Sequence, residues 1–530
     1  MAPPTLTPTT PPVPGGAKAR TVLYLAALAA ISLVSRLPQL RSPNLLADGD
    51  ECVLGLMAKH VAQGKELPVF FYGQHYALSS VEAAAGALGF LGFGVSAVSL
   101  KLAMLALWTV GVLFLFLAQK RLLGTARSFW ITSVLLLNPV WAAWSMKAGG
   151  GYITAFTATA LLLWLLTSDR AHETVVRWLV AGALTAVIYL AQPLWLPGVL
   201  PILAVVLISR RRPSWGIGYL VVTAAAILIV QLATGASPKT WDGPPIGNPD
   251  LLGSLSRVGR QIYIFLTGSY YLSWAIEPPG RATIALAIIW CIALPALLLL
   301  QGYRLLTKRY CPLSHLLCVS VGATLVAEWA LLRARDARYL LPLGALFVAL
   351  AGVELVDLVD RRLVPKRAVL VLTGVALLLG SLSMREFREF NYLWKNPPNR
   401  WTEAKRLQQV FGYLKVMDVS RVFSMNGLLD SQLEFYSDEK VLSRWADPLG
   451  RYPAYVKEVD RALADGETVA VVGYTHTSGA PGCWDVPICS GGLERMVANP
   501  ESIFTVDDKY FVYVGADRDL LKKLGFRFWN

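Results

Sequence analysis

Long apolar segments, separated by short polar connections, recur from Thr21 to Met384 of this 530-residue chain. Each has about 17–25 residues, enough for a helix to cross a hydrocarbon core of roughly 30 Å. A bilayer core offers no water to the backbone, so such segments must satisfy their hydrogen bonds internally, as helices do. Hydrophobic residues make up 55% of the chain and charged residues 16%, which argues against a soluble domain. The sequence therefore predicts a polytopic α-helical membrane protein.

The net charge of +14 is carried largely by short basic clusters between the apolar segments. This distribution is typical of cytoplasmic loops, so we expect no nucleic-acid partner. With the N-terminus in the cytoplasm, the clusters predict about eleven spans and an extracytoplasmic C-terminus. The predicted spans are 21–40, 98–118, 128–146, 152–168, 178–193, 195–209, 217–235, 283–301, 315–333, 340–357 and 367–384. Residues 79–93 are apolar but too short, and we interpret them as a helix at the outer interface.

Composition predicts the remaining organisation. Residues 1–17 are rich in Pro and Thr and are predicted to be a disordered tail. The membrane domain, 18–384, carries two long external loops, at 42–97 and 236–282. Hydrophobicity then falls, and alternating strand and helix patterns predict a soluble extracytoplasmic α/β domain over 385–530.

Two further signals concern cysteines and metals. Cys483 and Cys489 lie six residues apart in a Gly/Pro-rich stretch, where a disulfide and two free thiols are both consistent with the spacing. The histidines share no metal-ligand spacing, and no nucleotide-binding motif occurs. We therefore expect no required cofactor.

The first external loop contains a dense set of acids, Asp48, Asp50 and Glu51. Like charges packed together need a cation, a proton or a substrate nearby, which leaves a divalent cation, Mg²⁺ or Mn²⁺, as an option. A carboxylate here is also suited to take a proton from an acceptor hydroxyl. The alternative for Asp48 is that it caps an amphipathic helix predicted over Glu51–Gln63. Glu82, further along, either supports the base or is an ordinary solvated acid at a helix start.

A second set of candidates consists of basic residues that this topology places outside, against the usual charge bias. Arginine and lysine there bind phosphate or pyrophosphate, or else contact lipid headgroups. One of them opens the stretch Lys147-Ala-Gly-Gly-Gly-Tyr152, whose glycines allow backbone amides to approach a phosphate. The others are Arg257, Arg260, Arg333, Arg335 and Arg338.

The order of these motifs resembles the first external loop of GT-C fold glycosyltransferases. The resemblance rests on Asp50-Glu51, on the aromatic run that ends Tyr72-Gly73-Gln74-His75, and on Glu82. Bacterial relatives of the protein O-mannosyltransferases and the lipid A aminoarabinose transferases are the most similar members of that group. The stretch Arg338-Tyr339-Leu-Leu-Pro342 resembles the segment that begins a late span in the same group.

The resemblance implies inverting transfer of a sugar from a polyprenyl-phosphate donor to an extracytoplasmic glycan, lipid or protein acceptor. It implies that Asp50 is the catalytic base with support from Glu51 and Glu82, although the neighbouring Asp48 leaves that assignment open between the two aspartates. Substrate contacts are expected from the aromatic run, the glycine stretch and the external basic residues. Composition favours a bacterial inner membrane.

The alternatives to a glycosyltransferase are two other classes of function. A transporter or flippase for a lipid-linked or anionic solute would be expected to have repeat symmetry and ionisable residues near the middle of the membrane. A non-catalytic scaffold would depend on residues 385–530 and not on the acids of the first loop.

Overall fold

The structure is a computed structural model. It describes residues 16–42, 45–168, 174–210, 213–235, 255–268, 280–307, 311–330, 337–387, 403–446, 451–475, 493–497, 499–507 and 509–528. Arg333, Arg335, Cys483 and Cys489 lie outside these residues, as do the first fifteen residues and most of the loop 236–282. The predictions about them stay predictions.

The described residues of the N-terminal part of the chain form helices joined by loops. Its helices are α1 (Gly16–Leu40), α2 (Gly49–Ala62), α3 (Ser80–Phe93), α4 (Ala97–Leu123), α5 (Thr125–Leu136), α6 (Val140–Trp144), α7 (Tyr152–Leu166), α8 (Val175–Ala191), α9 (Leu196–Arg210), α10 (Pro213–Thr234), α11 (Leu255–Leu266), α12 (Arg281–Leu306), α13 (Pro312–Ala330), α14 (Leu341–Asp360) and α15 (Lys366–Glu386). At least one helix lies in each of the eleven predicted spans.

Within the described residues, seven helices are long and apolar enough to cross a membrane, judged by length and composition. The α8 and α9 regions qualify together, but the chain bends by 119° between them. Pro193 explains this break, because proline lacks an N–H and disfavours helical geometry in the residue before it. The protein is a multi-pass membrane protein, and the count of about eleven crossings stays a prediction.

The C-terminal part contains the strands that the sequence pattern predicts, with helices around them. Its elements are α16 (Glu403–Val416), β1 (Arg421–Ser424), α17 (Gly427–Tyr436), β2 (Leu442–Arg444), α18 (Pro453–Ala464), β3 (Ala470–Tyr474), β4 (Phe504–Val506), β5 (Tyr510–Val514) and α19 (Arg518–Lys523). The sheet has the order β2-β1-β3-β5-β4. The first three strands are parallel, and β5 pairs antiparallel with both β3 and β4. The fold class, membrane helices followed by an α/β unit, is confirmed.

Helix α17 of this C-terminal unit packs directly against α2 of the first loop. A side chain at Gly49 would meet the backbone of Leu428 at 2.5 Å, and one at Gly55 would meet the ring of Phe435 at 2.5 Å. The prediction that α2 is amphipathic is wrong, because α17 covers the side expected to face solvent, and both Lys59 and His60 are buried. The C-terminal unit therefore forms one wall of the first loop.

We expect Gly49→Ala to weaken this contact. Alanine improves helix propensity by about 1 kcal/mol, whereas overpacking against a backbone costs about 1–3 kcal/mol. The expected result is a lower melting temperature and faster protease cleavage between the two parts of the chain. Gly92→Ala in α3 is the matched control, because no atom lies within 4 Å of the added methyl. Equal behaviour of the two variants would contradict the tight packing described for Gly49.

Candidate active site

The acids of the first loop are organised by the start of α2. Asp48 is the residue that caps this helix: its Oδ1 accepts from the Glu51 N–H at 2.8 Å, and Glu51 Oε2 accepts from the Asp48 N–H at 3.1 Å. This reciprocal pair satisfies two helix-end donors, and both carboxylates also face the positive end of the helix dipole. The structure thus confirms the alternative prediction for Asp48, that it caps the helix.

Two lysines neutralise these buried acids. Lys147 Nζ donates to Asp48 Oδ2, and Lys101 Nζ donates to Glu51 Oε1 at 2.6 Å. Burial disfavours the charged form of Asp48, but Lys147 outweighs it and holds the Asp48 pKa below its ordinary value. Burial likewise acts against charge on Lys147, and the attraction of Asp48 and Glu51 raises the Lys147 pKa above its ordinary value. The Asp48–Lys147 pair therefore stays ionised at neutral pH.

Glu82 lies under the glycine stretch that follows Lys147. Its Oε2 accepts from the Gly149 N–H at 3.2 Å, and its Oε1 accepts from the N–H groups of Ile153 and Thr154 at 3.2 Å. The turn needs glycine at Gly151, where φ is +73° and a Cβ would lie 2.8 Å from the Ala191 carbonyl. Glu82 is fully buried, so the alternative of a solvated helix-start acid is excluded.

The burial of Glu82 predicts a pH dependence. Burial raises its pKa from 4.5 to about 7, because desolvation outweighs the backbone N–H donors. A carboxyl pKa raised in the folded state contributes stability that is present below pH 4.5 and is lost as the pH rises through 7. The shift corresponds to about 3 kcal/mol.

We therefore expect Glu82→Gln to reduce the loss of melting temperature between pH 5 and pH 8 by several degrees. Thermal unfolding of protein in lipid nanodiscs measures this difference. Glu458→Gln, at a partly exposed pair with Arg421, is the control and should keep the wild-type pH dependence. An unchanged dependence in Glu82→Gln would show that Glu82 is not the titrating group.

Asp50 differs from the other three acids because 41% of its side chain is exposed. It follows the capping residue on α2, and a Cβ at Gly149 would lie 3.8 Å from the Asp50 Cβ. Its Oδ1 lies 3.6 Å from a guanidinium nitrogen of Arg451 in the C-terminal unit. Asp50 is thus the carboxylate of this set that a solute can reach.

The aromatic run forms a turn beside α2. Tyr72 Oη lies 2.9 Å from His60 Nδ1, and the Gln74 N–H donates to the Phe71 carbonyl at 3.0 Å. Gln74 is partly exposed and His75 is exposed. In the part of the chain that the structure describes, neither has a polar contact with the four acids. Their predicted contacts with substrate stay predictions.

Three of the other basic residues predicted to be external, Arg257, Arg260 and Arg338, lie among the described residues. Arg257 and Arg260 are exposed on α11, which packs against the 3₁₀ turn Ala337–Leu340. In that turn Arg338 lies 5.3 Å from the ring centre of Tyr339. The far end of α11 reaches α6, because a side chain at Gly268 would lie 2.6 Å from the Pro139 carbonyl.

Helix α6 leads into the glycine stretch. Trp144, its last residue, has its ring centre 4.8 Å from that of Tyr152, and Lys147 Nζ lies 5.6 Å from the Trp144 ring centre. Lys147 and Tyr152 are therefore part of the acid cluster's surroundings. Arg257 and Arg260 make no polar contact with those acids among the described residues.

Sequence reasoning missed three residues that the structure places around the acid cluster. Lys101 lies four residues into the apolar segment of α4, and a lysine there is itself a signal, because a buried charge requires a partner. Arg36 is buried in α1 and donates to the Leu136 carbonyl at 2.6 Å and to Ser145 Oγ at 3.2 Å, which fixes the chain ahead of Lys147. Arg451 carried no signal, because only tertiary packing brings it to Asp50.

Within the described residues, no group of three or more His, Cys, Asp and Glu side chains has the arrangement of a metal site. The positive charge near the acids comes instead from lysine and arginine. The divalent cation stays a hypothesis.

The helical membrane part, with its first loop covered by a C-terminal α/β unit, has the GT-C fold. Among solved structures, ArnT from Cupriavidus metallidurans bound to undecaprenyl phosphate is similar over 95% of this chain and 99% of that chain, with a TM-score of 0.57 and 14% identity. The Archaeoglobus fulgidus oligosaccharyltransferase tethered with an acceptor peptide covers 86% of this chain and 69% of that chain, with a TM-score of 0.48 and 12% identity. A TM-score of 0.48 is too low to support a conclusion about this chain.

No protein-family model matches the sequence, and no curated protein matches it. The likeness to ArnT is therefore one of fold, and it confirms the resemblance that the loop motifs predict.

Proposed function

We propose that this protein is a membrane glycosyltransferase that transfers a sugar from a polyprenyl-phosphate donor to an extracytoplasmic acceptor with inversion. The main observation behind the proposal is that four acids lie at one site and differ in burial and bonding. Asp48, Glu51 and Glu82 are buried and bonded within the protein, whereas Asp50 is accessible beside them. The fold shared with ArnT, whose structure contains undecaprenyl phosphate, supports the choice of donor.

Asp50 is the base in this proposal. It takes the proton of the acceptor hydroxyl as the oxygen forms a bond to the anomeric carbon of the sugar. The bond from that carbon to the phosphate oxygen breaks, and its electron pair leaves with the polyprenyl phosphate. Asp48 is poorly suited to the same role, because its oxygens are committed to Glu51 and Lys147.

The leaving phosphate needs positive charge, because negative charge develops on it as the bond breaks. We assign this role to the lysine before the glycine stretch and to the arginines that the sequence predicts to be external. They are Lys147, Arg257, Arg260, Arg333, Arg335 and Arg338, with Tyr152 and Tyr339 beside them. Their chemistry suits a phosphate, since arginine offers two parallel N–H donors.

The proposed location is a bacterial inner membrane, with the N-terminus in the cytoplasm and the C-terminal unit outside. The contact between α17 and α2 supports one part of this topology, since it requires the first loop and the C-terminal unit to lie on the same side. The acceptor, whether glycan, lipid or protein, would reach Asp50 from that side. No redox cofactor is needed for this chemistry.

The test is an assay of purified protein with a panel of radiolabelled polyprenyl-phosphate sugars, with and without envelope lipids and glycans as acceptors. Loss of label from the lipid by wild-type protein is the expected result. Specific binding of a donor without its consumption under any acceptor condition would contradict the proposal and favour a transporter.

A further inference from the structure

We propose that Arg451, supplied by the C-terminal unit, is a specificity-determining residue that binds an anionic group, phosphate or carboxylate, on the acceptor. The inference rests on the proposed function and adds to it a residue and a substrate class. Arg451 lies between β2 and α18, more than 300 residues from every other part of the acid cluster in the chain. Packing alone brings it to Asp50.

The residue next to Arg451 anchors it. The ring of Tyr452 lies 5.1 Å from that of His60 and 4.8 Å from that of Tyr72, centre to centre. His60 in turn contacts Glu439 at 3.0 Å and the Tyr455 hydroxyl at 3.1 Å. This partly buried cluster joins α2, the aromatic run and the C-terminal unit, so the backbone at Arg451 is fixed relative to Asp50.

Contacts with Phe71 and Asp50 position the side chain of Arg451 but leave some of its N–H donors available. Its guanidinium carbon lies 5.3 Å from the centre of the Phe71 ring, and one of its nitrogens lies 3.6 Å from Asp50 Oδ1. Stacking occupies the face of a guanidinium and leaves its N–H donors at the edge. Among the described residues Asp50 is the carboxylate that lies within ion-pair distance of its guanidinium, and 35% of the side chain is exposed. Donors therefore remain for a ligand.

The placement beside the base distinguishes the acceptor from the donor. In an inverting displacement the base and the attacking oxygen lie on the face of the sugar opposite the leaving group. A guanidinium 3.6 Å from Asp50 is on the acceptor side of the anomeric carbon. A role limited to domain docking is the weaker interpretation, because exposed ion pairs contribute little to stability and α17 already packs closely on α2.

The test measures binding of three hexyl glycosides to protein in lipid nanodiscs: a neutral hexyl glucoside, its 6-phosphate and a hexyl glucuronide. Wild-type protein is expected to bind both anionic probes about tenfold or more tightly than the neutral one. Arg451→Gln should abolish this preference. Arg451→Lys should keep part of it, since the charge remains and the fork is lost. Arg421→Gln, at a partly exposed ion pair of the same unit, should keep all of it.

Three results would overturn the proposal: no preference in the wild type, a full preference in Arg451→Gln, or an equal loss in Arg421→Gln. A parallel arm measures undecaprenyl phosphate, and an equal loss of its affinity in Arg451→Gln would place the anion on the donor and overturn the acceptor assignment. Melting temperatures and the Arg451→Lys variant separate these outcomes from misfolding. No turnover is required, so a failed transfer assay would contradict the proposed reaction and leave this result standing.

Discussion

Asp50→Asn is expected to lower sugar transfer by about 10²–10⁴-fold, the usual contribution of a general base. The substitution keeps the size and shape of the side chain and removes its ability to accept the proton. Because Asp50 is 41% exposed and does not cap α2, the melting temperature should stay close to that of the wild type. Initial rates of label release from the donor, measured beside thermal unfolding, test both parts of this prediction.

The matched control is Asp360→Asn, which removes an acid of similar exposure, 51%, that pairs with Arg127 in the membrane part. It should retain wild-type transfer. Asp48→Asn provides the second comparison, because asparagine also caps helices well and its effect should appear mainly as instability. Full activity in Asp50→Asn together with folded but inactive Asp48→Asn would reverse the assignment of the base.

Lys147→Met is expected to cause the largest loss of stability. It leaves the buried Asp48 carboxylate without its cation, and breaking a buried ion pair in this way costs about 3–5 kcal/mol. The melting temperature should fall by several degrees in lipid nanodiscs, and the start of α2 should exchange amide hydrogens faster. Hydrogen exchange therefore locates the effect in the first loop.

The double variant Asp48→Asn with Lys147→Met distinguishes an ion-pair effect from loss of packing. Removing both charges leaves no unpaired ion, so much of the stability should return. Activity need not return, because Lys147 is also assigned to the donor phosphate. A double variant as unstable as Lys147→Met would mean that the aliphatic stem of Lys147, rather than its charge, holds the loop.

Much of the fold could be predicted from the sequence because each span is a local property of the chain. Hydropathy placed a helix in every predicted span, and the alternating pattern placed strands near 421–425 and 468–473. Short elements such as β2 were missed, because three residues give too little pattern to recognise. The bend after α8 was read as a boundary between two spans, since proline signals a break without specifying its angle.

The acids of the site could be predicted from the sequence, whereas their basic partners were harder to predict. The resemblance of the loop motifs gave Asp50, Glu51 and Glu82, and helix-capping preferences suggested the role that Asp48 has. Arg451 depends on a tertiary contact between elements distant in the chain, for which a single sequence has no local signal. Lys101 does stand out as a charge in an apolar segment, but the sequence does not identify Glu51 as its partner. Tertiary contact also explains the burial of α2. Helix α17 covers the side of α2 whose polar residues had suggested exposure to solvent.

The packing of α17 on α2 also sets an order of events during biosynthesis. Ala47 donates its N–H to the hydroxyl of Tyr436, and these residues lie 389 positions apart. At about 5–20 residues per second, the ribosome needs on the order of 20–80 s to make that stretch. In the proposed topology, the first loop is exported before α17 is made and stays uncovered for this time. A nascent chain that stalls within the last spans would thus leave an incomplete site in the membrane. Only full-length protein is therefore expected to be active.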